Sequence, residues 1–247
     1  MRIDDSTLLH AEVPHVRFAT APGSPTPPLE DGNRLTRAEV ERRYHALPNV
    51  KKAELIEGIV HMASPPPFKP HAELHGDLMT WLGTYKIFTP GVRLGDNPTV
   101  RLDSDNEPQP NAVLLIDPRA GGRSSFSNDG YVEGAPELVA EIAANSAASD
   151  LRNKKQVYHR NGVQEYLVWQ VFEQKLDWFI LQAEDYRLLT ADPNGIIRSS
   201  VFPGLWLAVS DLLRGNTQKV LAVLRDGLSS AEHQRFVQKL ANQISSN

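Results

Sequence analysis

Apolar residues recur along this chain with two periods, and the switches between them outline the elements. Leu74, Leu78, Leu82 and Tyr85 repeat at helical spacing and predict a helix over residues 71–88, closed by Pro90-Gly91. Thr36-Arg-Ala-Glu39 has the form of a capping box and opens an earlier helix that ends near Leu47-Pro48. Residues 53–63 (AELIEGIVHMA) have β character with a turn or bulge at Glu57-Gly58, and the Ser64-Pro-Pro-Pro67 run breaks it. Short strands are expected at 92–94 and 99–102, and a buried one at 111–117. Residues 121–134 are polar and rich in Gly and Ser, which predicts a loop. Strand-like runs then occupy 137–144, 164–171, 175–181 and 186–190, the last three as an antiparallel meander. Helical patterns close the chain at 208–214, 217–224 and 231–244, the last polar enough to be an exposed appendage or a partner-binding helix. Trp169, Trp178 and Trp206 read as core or sheet-packing residues.

One helix departs from the simple apolar stripe. Residues 150–162 enter at Asp150 and stop at Gly162, and the helical period puts Leu151, Lys154, Val157 and Tyr158 on one face. Arg152, Lys155 and His159 fall on other faces. An ammonium is thereby placed on the side that should face the core. Just upstream, Glu141 interrupts an apolar strand run. A buried charge is costly unless something opposes it, so this carboxylate and lysine suggest a site for metal and phosphate.

Strands mixed with helices give an α/β (α+β) fold with one central mixed β-sheet flanked by helices and a C-terminal helical appendage. The expected organisation is a Pro-rich arm (1–33), a main domain (34–214) and a helical extension (215–247). The 247 residues are 40% hydrophobic, enough to build a real core. The chain has no cysteine, which excludes disulfides and thiolate metal sites and fits a cytoplasmic protein. Charges in Met1-Arg-Ile-Asp-Asp do not suit a signal peptide, and no apolar stretch is long enough to span a membrane. A formal net charge of −4 argues against a nucleic-acid coat protein but leaves room for a nuclease, whose site needs carboxylates and only a local basic rim.

Five pieces occur in order: Glu54-Leu-Ile-Glu-Gly58; Met62-Ala-Ser-Pro65 with a following histidine; Gln109-Pro110-Asn111; residues 134–141 (GAPELVAE); and Asp150-x3-Lys154-x3-Tyr158-x3-Gly162-Val163-x-Glu165-Tyr166. Over residues 35–213 the set closely resembles the Uma2 family of restriction-endonuclease-like proteins, within the PD-(D/E)-x-K nuclease superfamily. The resemblance implies a restriction-endonuclease-like fold and an endonuclease that hydrolyses DNA phosphodiesters with Mg²⁺ (or Mn²⁺). Carried over by position, Glu141 and Asn111 would be metal ligands and Lys154 would assist the attacking water. Glu54 would be a further catalytic residue, as ligand or base. His71 or His75 matches a histidine at the site's edge, and the spacing does not distinguish them. Arg152 and Lys155 are candidates for contact with DNA phosphates. A homodimer would suit the two-fold symmetry of duplex cleavage, although no residue here specifies one.

The chain departs from the family pattern at Asn111, where an aspartate is usual. An amide oxygen can ligate Mg²⁺ but brings no charge to offset the cost of stripping water from the ion. The resemblance therefore leaves two readings, a weakened endonuclease or an inactive nuclease-fold module that binds DNA or protein. The residues also have plainer readings. Glu141 and Lys154 can form a structural ion pair, and Asn111 can bond its own turn at a strand start. His71 and His75 suit a helix surface, Glu54 an exposed strand, and Arg152, Lys155, His159 and Arg160 a solvated helix face. Asp103-Ser-Asp-Asn-Glu107 mimics the start of a calcium loop without its glycine or closing glutamate, and reads as a hairpin loop.

Overall fold

The structure, a computed structural model, describes residues 26–46, 52–62, 71–143 and 148–246. The expected arm through residue 25, the helix end near Leu47-Pro48 and the Ser64–Pro67 break lie outside the described residues, as do the side chains of Asp150 and Leu151. In chain order the helix α1 (Arg37–His45) precedes strands β1 (Ala53–Ile56) and β2 (Ile59–Met62) and helix α2 (Glu73–Ile87). Strands β3 (Val92–Asp96), β4 (Val100–Arg101), β5 (Ala112–Ile116), β6 (Ser125–Phe126), β7 (Val132–Glu133) and β8 (Leu138–Ala143) come next. Helix α3 (Ala148–Arg160) then leads to β9 (Glu165–Gln170), β10 (Lys175–Gln182), β11 (Asp185–Leu188), β12 (Ile196–Arg198) and β13 (Trp206–Ala208). Helices α4 (Val209–Leu213), α5 (Thr217–Leu228) and α6 (Ala231–Ser246) finish the fold.

The central sheet has six strands in the order β11-β10-β9-β8-β5-β3. It is mixed, because β8 and β9 run parallel while the other pairs are antiparallel. Alternation along its buried strands sends two sets of apolar side chains to opposite faces. Ala112, Leu114, Leu138, Ala140, Leu167 and Trp169 belong to one core with Leu78, Trp81, Leu82 and Tyr85 of α2. Val113, Leu115, Val139, Tyr166 and Val168 belong to the other, with Tyr158 of α3. A parallel β8–β9 pair requires a crossover, and α3 is that crossover. This topology lays Lys154 over the face that carries Glu141.

The extension is fastened to the first core: Val220 and Leu224 of α5 and Phe236 and Leu240 of α6 pack in the same cluster as α2. Gly227 permits a close approach, since a Cβ there would stand 2.9 Å from the Trp206 ring. Trp169 and Trp178 are core residues as expected, while Trp206 is half-buried beneath Arg198.

Three local expectations need correction. Thr36 makes no side-chain cap: the Glu39 N–H donates to the Thr36 carbonyl at 3.0 Å, and the Glu39 carboxylate pairs with Arg42 and Arg43 one turn further on instead of reaching back. The Gly/Ser-rich loop contains β6 and β7, which join β4 in a separate small sheet. Strands β12 and β13 were not anticipated, since three residues are too few to display a period. By contrast, Glu57 (φ 53°) and Gly58 (φ 70°) form the expected turn, now joining β1 to β2 as a hairpin. Residues 103–107 form the expected loop, with Asn106 Oδ1 accepting from Glu57 N at 2.8 Å.

Two buried carboxylates away from the candidate site give the fold a pH dependence. Burial pushes Glu165 up to about 7, although its carboxylate accepts bonds from Ser199, Ser200 N, Val201 N and Trp178. Burial and the neighbouring Glu41 push Glu107 up to about 8. Both values lie above the ordinary 4.5, so the folded protein holds protons that the unfolded chain has released. Their stabilising contribution is complete below about pH 4.5 and is lost as pH rises through 7 and 8. Thermal midpoints should fall across that window, and Glu107→Gln should flatten the fall. Parallel profiles for the two proteins would refute the assignment to Glu107.

Candidate active site

Glu54, Glu141 and Lys154, singled out in the sequence, come from three separate segments and meet, and a fourth segment brings Asn111 alongside. Asn111 immediately precedes β5, and Glu141 stands across from it on β8, on the face covered by α3. Lys154 Nζ bridges two carboxylates, donating to Glu54 Oε1 at 2.8 Å and to Glu141 Oε1 at 3.0 Å. The three side chains are only 7–13% exposed. Glu54 arrives because Leu55 of β1 pairs with Glu107 through both backbone hydrogen bonds. Its Oε1 also accepts from Gln109 N at 2.7 Å, which fixes the approach of the Gln109-Pro110-Asn111 segment.

Asn111 is buried, and both ends of its amide are engaged. Oδ1 accepts from Ile142 N at 2.8 Å, across to β8 rather than to its own turn. Nδ2 lies 3.3 Å from His71 Nε2. His75 Nε2 contacts the Asn111 carbonyl at 3.1 Å and Asp96 at 3.3 Å. Both histidines therefore flank Asn111. Arg152 is exposed on α3, and Lys155 Nζ lies over the Phe179 ring at 3.6 Å. His159 bonds Glu184 O, and Arg160 pairs with Glu57.

The electrostatics define what each group can do. Burial disfavours a charged Lys154, but Glu141 and Glu54 outweigh it and hold the amine above its ordinary value. It remains an ammonium and cannot serve as a base. Burial likewise works against an ionised Glu54, yet the charges of Lys154 and Lys52 keep it below the usual carboxylate range. Burial lowers His71, helped by His75 and Lys52, so its imidazole is neutral.

Sequence reasoning missed three contributors. Tyr158 donates to Glu141 Oε1 at 2.8 Å, Gln109 contributes its backbone N–H, and Lys52 adds charge beside Glu54 and His71. Tyr158 was detectable, since it lies four residues beyond Lys154 on the same stripe. The other two depend on how β1 docks, which leaves no periodic signal.

For a metal, the donors at hand are the carboxylates of Glu141 and Glu54 and the Asn111 oxygen. Among the described residues no group of three or more His, Cys, Asp or Glu is placed to hold an ion. All-oxygen donors suit a hard cation in kind, and neither Glu54 nor Glu141 has a hydrogen bond on Oε2 among the described residues. With Lys154 counted, the cluster carries one net negative charge, weaker than an aspartate at 111 would make it.

The sequence profile of the Uma2 family, described as "Putative restriction endonuclease", matches residues 41–210, more than half of the chain. The chain belongs to this family. The Uma2 match thus spans β1, the Asn111 segment, Glu141 and α3, the parts that build the cluster. The fold also resembles a solved structure from Anabaena variabilis ATCC 29413, titled as a putative nuclease belonging to DUF820. Identity is 17% and the TM-score 0.53, with 70% of this chain and 96% of that one covered. None of the curated proteins matches the chain. No helix among the described residues is long and apolar enough to cross a membrane.

Proposed function

We propose that this Uma2 protein is a divalent-cation-dependent endonuclease that hydrolyses DNA phosphodiesters at the Lys154 cluster, with cation affinity reduced by Asn111. The supporting observation is the convergence of Lys154, Glu141 and Glu54 from separate segments onto one buried point, with Asn111 tied to the neighbouring Ile142 N–H of the Glu141 strand. Glu141, Asn111 and Glu54 would hold Mg²⁺ or Mn²⁺, which when bound supplies an acidified water and offsets charge on the phosphate. Lys154, protonated throughout the working pH range, would donate to the oxygens that gain charge in the transition state. Glu54 suits a ligand better than a base, because a carboxylate held below its ordinary value takes a proton reluctantly. Arg152 is exposed on the surface, where it could meet a flanking phosphate, whereas Lys155 would first have to leave the Phe179 ring. Cutting both strands calls for two such sites, which extends the reading to a homodimer on duplex DNA.

A second reading, a nuclease-fold module that binds DNA or protein without cleaving, draws on one specific observation. The Asn111 oxygen already serves the Ile142 N–H, so position 111 carries out a structural task. Plasmid nicking with Mg²⁺ or Mn²⁺ separates the two. Under the first reading the native protein nicks slowly, and Glu141→Gln or a chelator stops it. Under the second it is inert while Asn111→Asp cleaves. If both proteins are folded and inert, the enzyme reading ends.

A further inference from the structure

Glu141 receives two hydrogen bonds on the same oxygen. Lys154 Nζ donates to Oε1 at 3.0 Å and Tyr158 OH donates to it at 2.8 Å. The donors stand four residues apart on α3, so both reach the carboxylate from one stripe of one helix. No hydrogen bond among the described residues falls on Oε2. A lysine alone holds a carboxylate loosely, because its long stem has many rotamers. The tyrosine is rigid by comparison. Its side chain is fully buried, with the ring 5.2 Å from that of Tyr166, which in turn packs on Phe179 and Tyr186.

We infer that Tyr158 is a positioning residue: with Lys154 it occupies Oε1 of Glu141, sets the rotation of the carboxylate and keeps Oε2 free for a divalent cation. This rests on the cation-dependent reading above and adds to it the group that orients one of its carboxylate ligands. Outer partners of this kind govern metal affinity by fixing ligand geometry. Tyr158 does not act as a base. Burial, reinforced by the Glu141 and Glu54 charges, pushes its phenol well above the ordinary value, so it stays an O–H donor.

The test uses Mn²⁺ as the probe, in a background where binding is expected to be measurable. Mn²⁺ affinity is measured by calorimetry or electron paramagnetic resonance for Asn111→Asp, Asn111→Asp/Tyr158→Phe and Asn111→Asp/Tyr166→Phe. Phenylalanine keeps the ring packing and removes only the hydroxyl. Tyr166 is the control, because its buried hydroxyl has no hydrogen-bond partner among the described residues. Tyr158→Phe should weaken Mn²⁺ binding about tenfold and raise the half-saturating Mn²⁺ for nicking, with the rate at saturating Mn²⁺ retained. Tyr166→Phe should change neither. A lower melting temperature with unchanged Mn²⁺ affinity would mean that Tyr158 is structural only, and the inference fails while the cation reading stands. If Asn111→Asp itself binds no Mn²⁺, the cation reading fails and this inference with it.

Discussion

Lys154→Ala should destabilise the protein by about 3–5 kcal/mol, the usual loss when one partner of a buried ion pair is removed. Lys154 opposes two carboxylates at once, at 2.8 and 3.0 Å, and all three side chains are largely shielded from water. Without the ammonium, Glu54 and Glu141 face each other as like charges in a medium that screens them poorly. The variant relieves this by taking up a proton, which raises the folded pKa of the pair above its unfolded value. Stability is then regained as pH falls below neutrality and lost as it rises, the opposite of what native Glu54 contributes. Urea denaturation of both proteins at several pH values measures this directly. Lys154→Met combined with Glu54→Gln should recover much of the loss, because fewer charges remain to be opposed. A loss well under 1 kcal/mol with no change in pH dependence would show that the cluster is solvated and that its charges are not mutually dependent.

Asn111→Asp should raise cation-dependent nicking by more than about tenfold, a scale on which even outer partners of a metal alter activity. The substitution keeps an oxygen for the Ile142 N–H and puts a second acidic oxygen where the amide nitrogen now faces His71. The cluster gains one negative charge, which is the quantity that a hard cation requires and the present donors lack. The same change acts on His71. Its imidazole is now held low by burial, His75 and Lys52, and a carboxylate within hydrogen-bond reach should raise its pKa. NMR titration of His71 in both proteins reads that shift without relying on catalysis. Nicking that stays at background although the His71 pKa rises would show that charge at 111 is insufficient. The cation-dependent reading would then fall.

Much of the fold was legible because burial imposes a period. The α2 helix is written in Leu74, Leu78, Leu82 and Tyr85, and the central strands in apolar runs, that of β8 broken only by Glu141. The inward lysine was legible for the same reason, as a charge on an otherwise apolar stripe. Of the short strands, β4 falls within the run expected at 99–102, but β6, β7, β12 and β13 did not show. They span only two or three residues each and owe their form to pairing with other strands. The capping box at Thr36 misled because a local motif states what a side chain can do, and Glu39 had better partners in Arg42 and Arg43.

The sequence by itself determined which residues carry charge, which stripe of α3 they lie on and that position 111 lacks an acid, since these follow from covalent identity and helical repeat. Only the tertiary structure decided that Glu54 completes the cluster, that both histidines border Asn111 and that Tyr158 shares an oxygen with Lys154. Glu54 and Lys154 are separated by 100 residues, and their meeting depends on β1 docking through Leu55 and Glu107. No repeat along the chain encodes a contact of that kind. It arises when buried donors and acceptors find each other as separate elements pack.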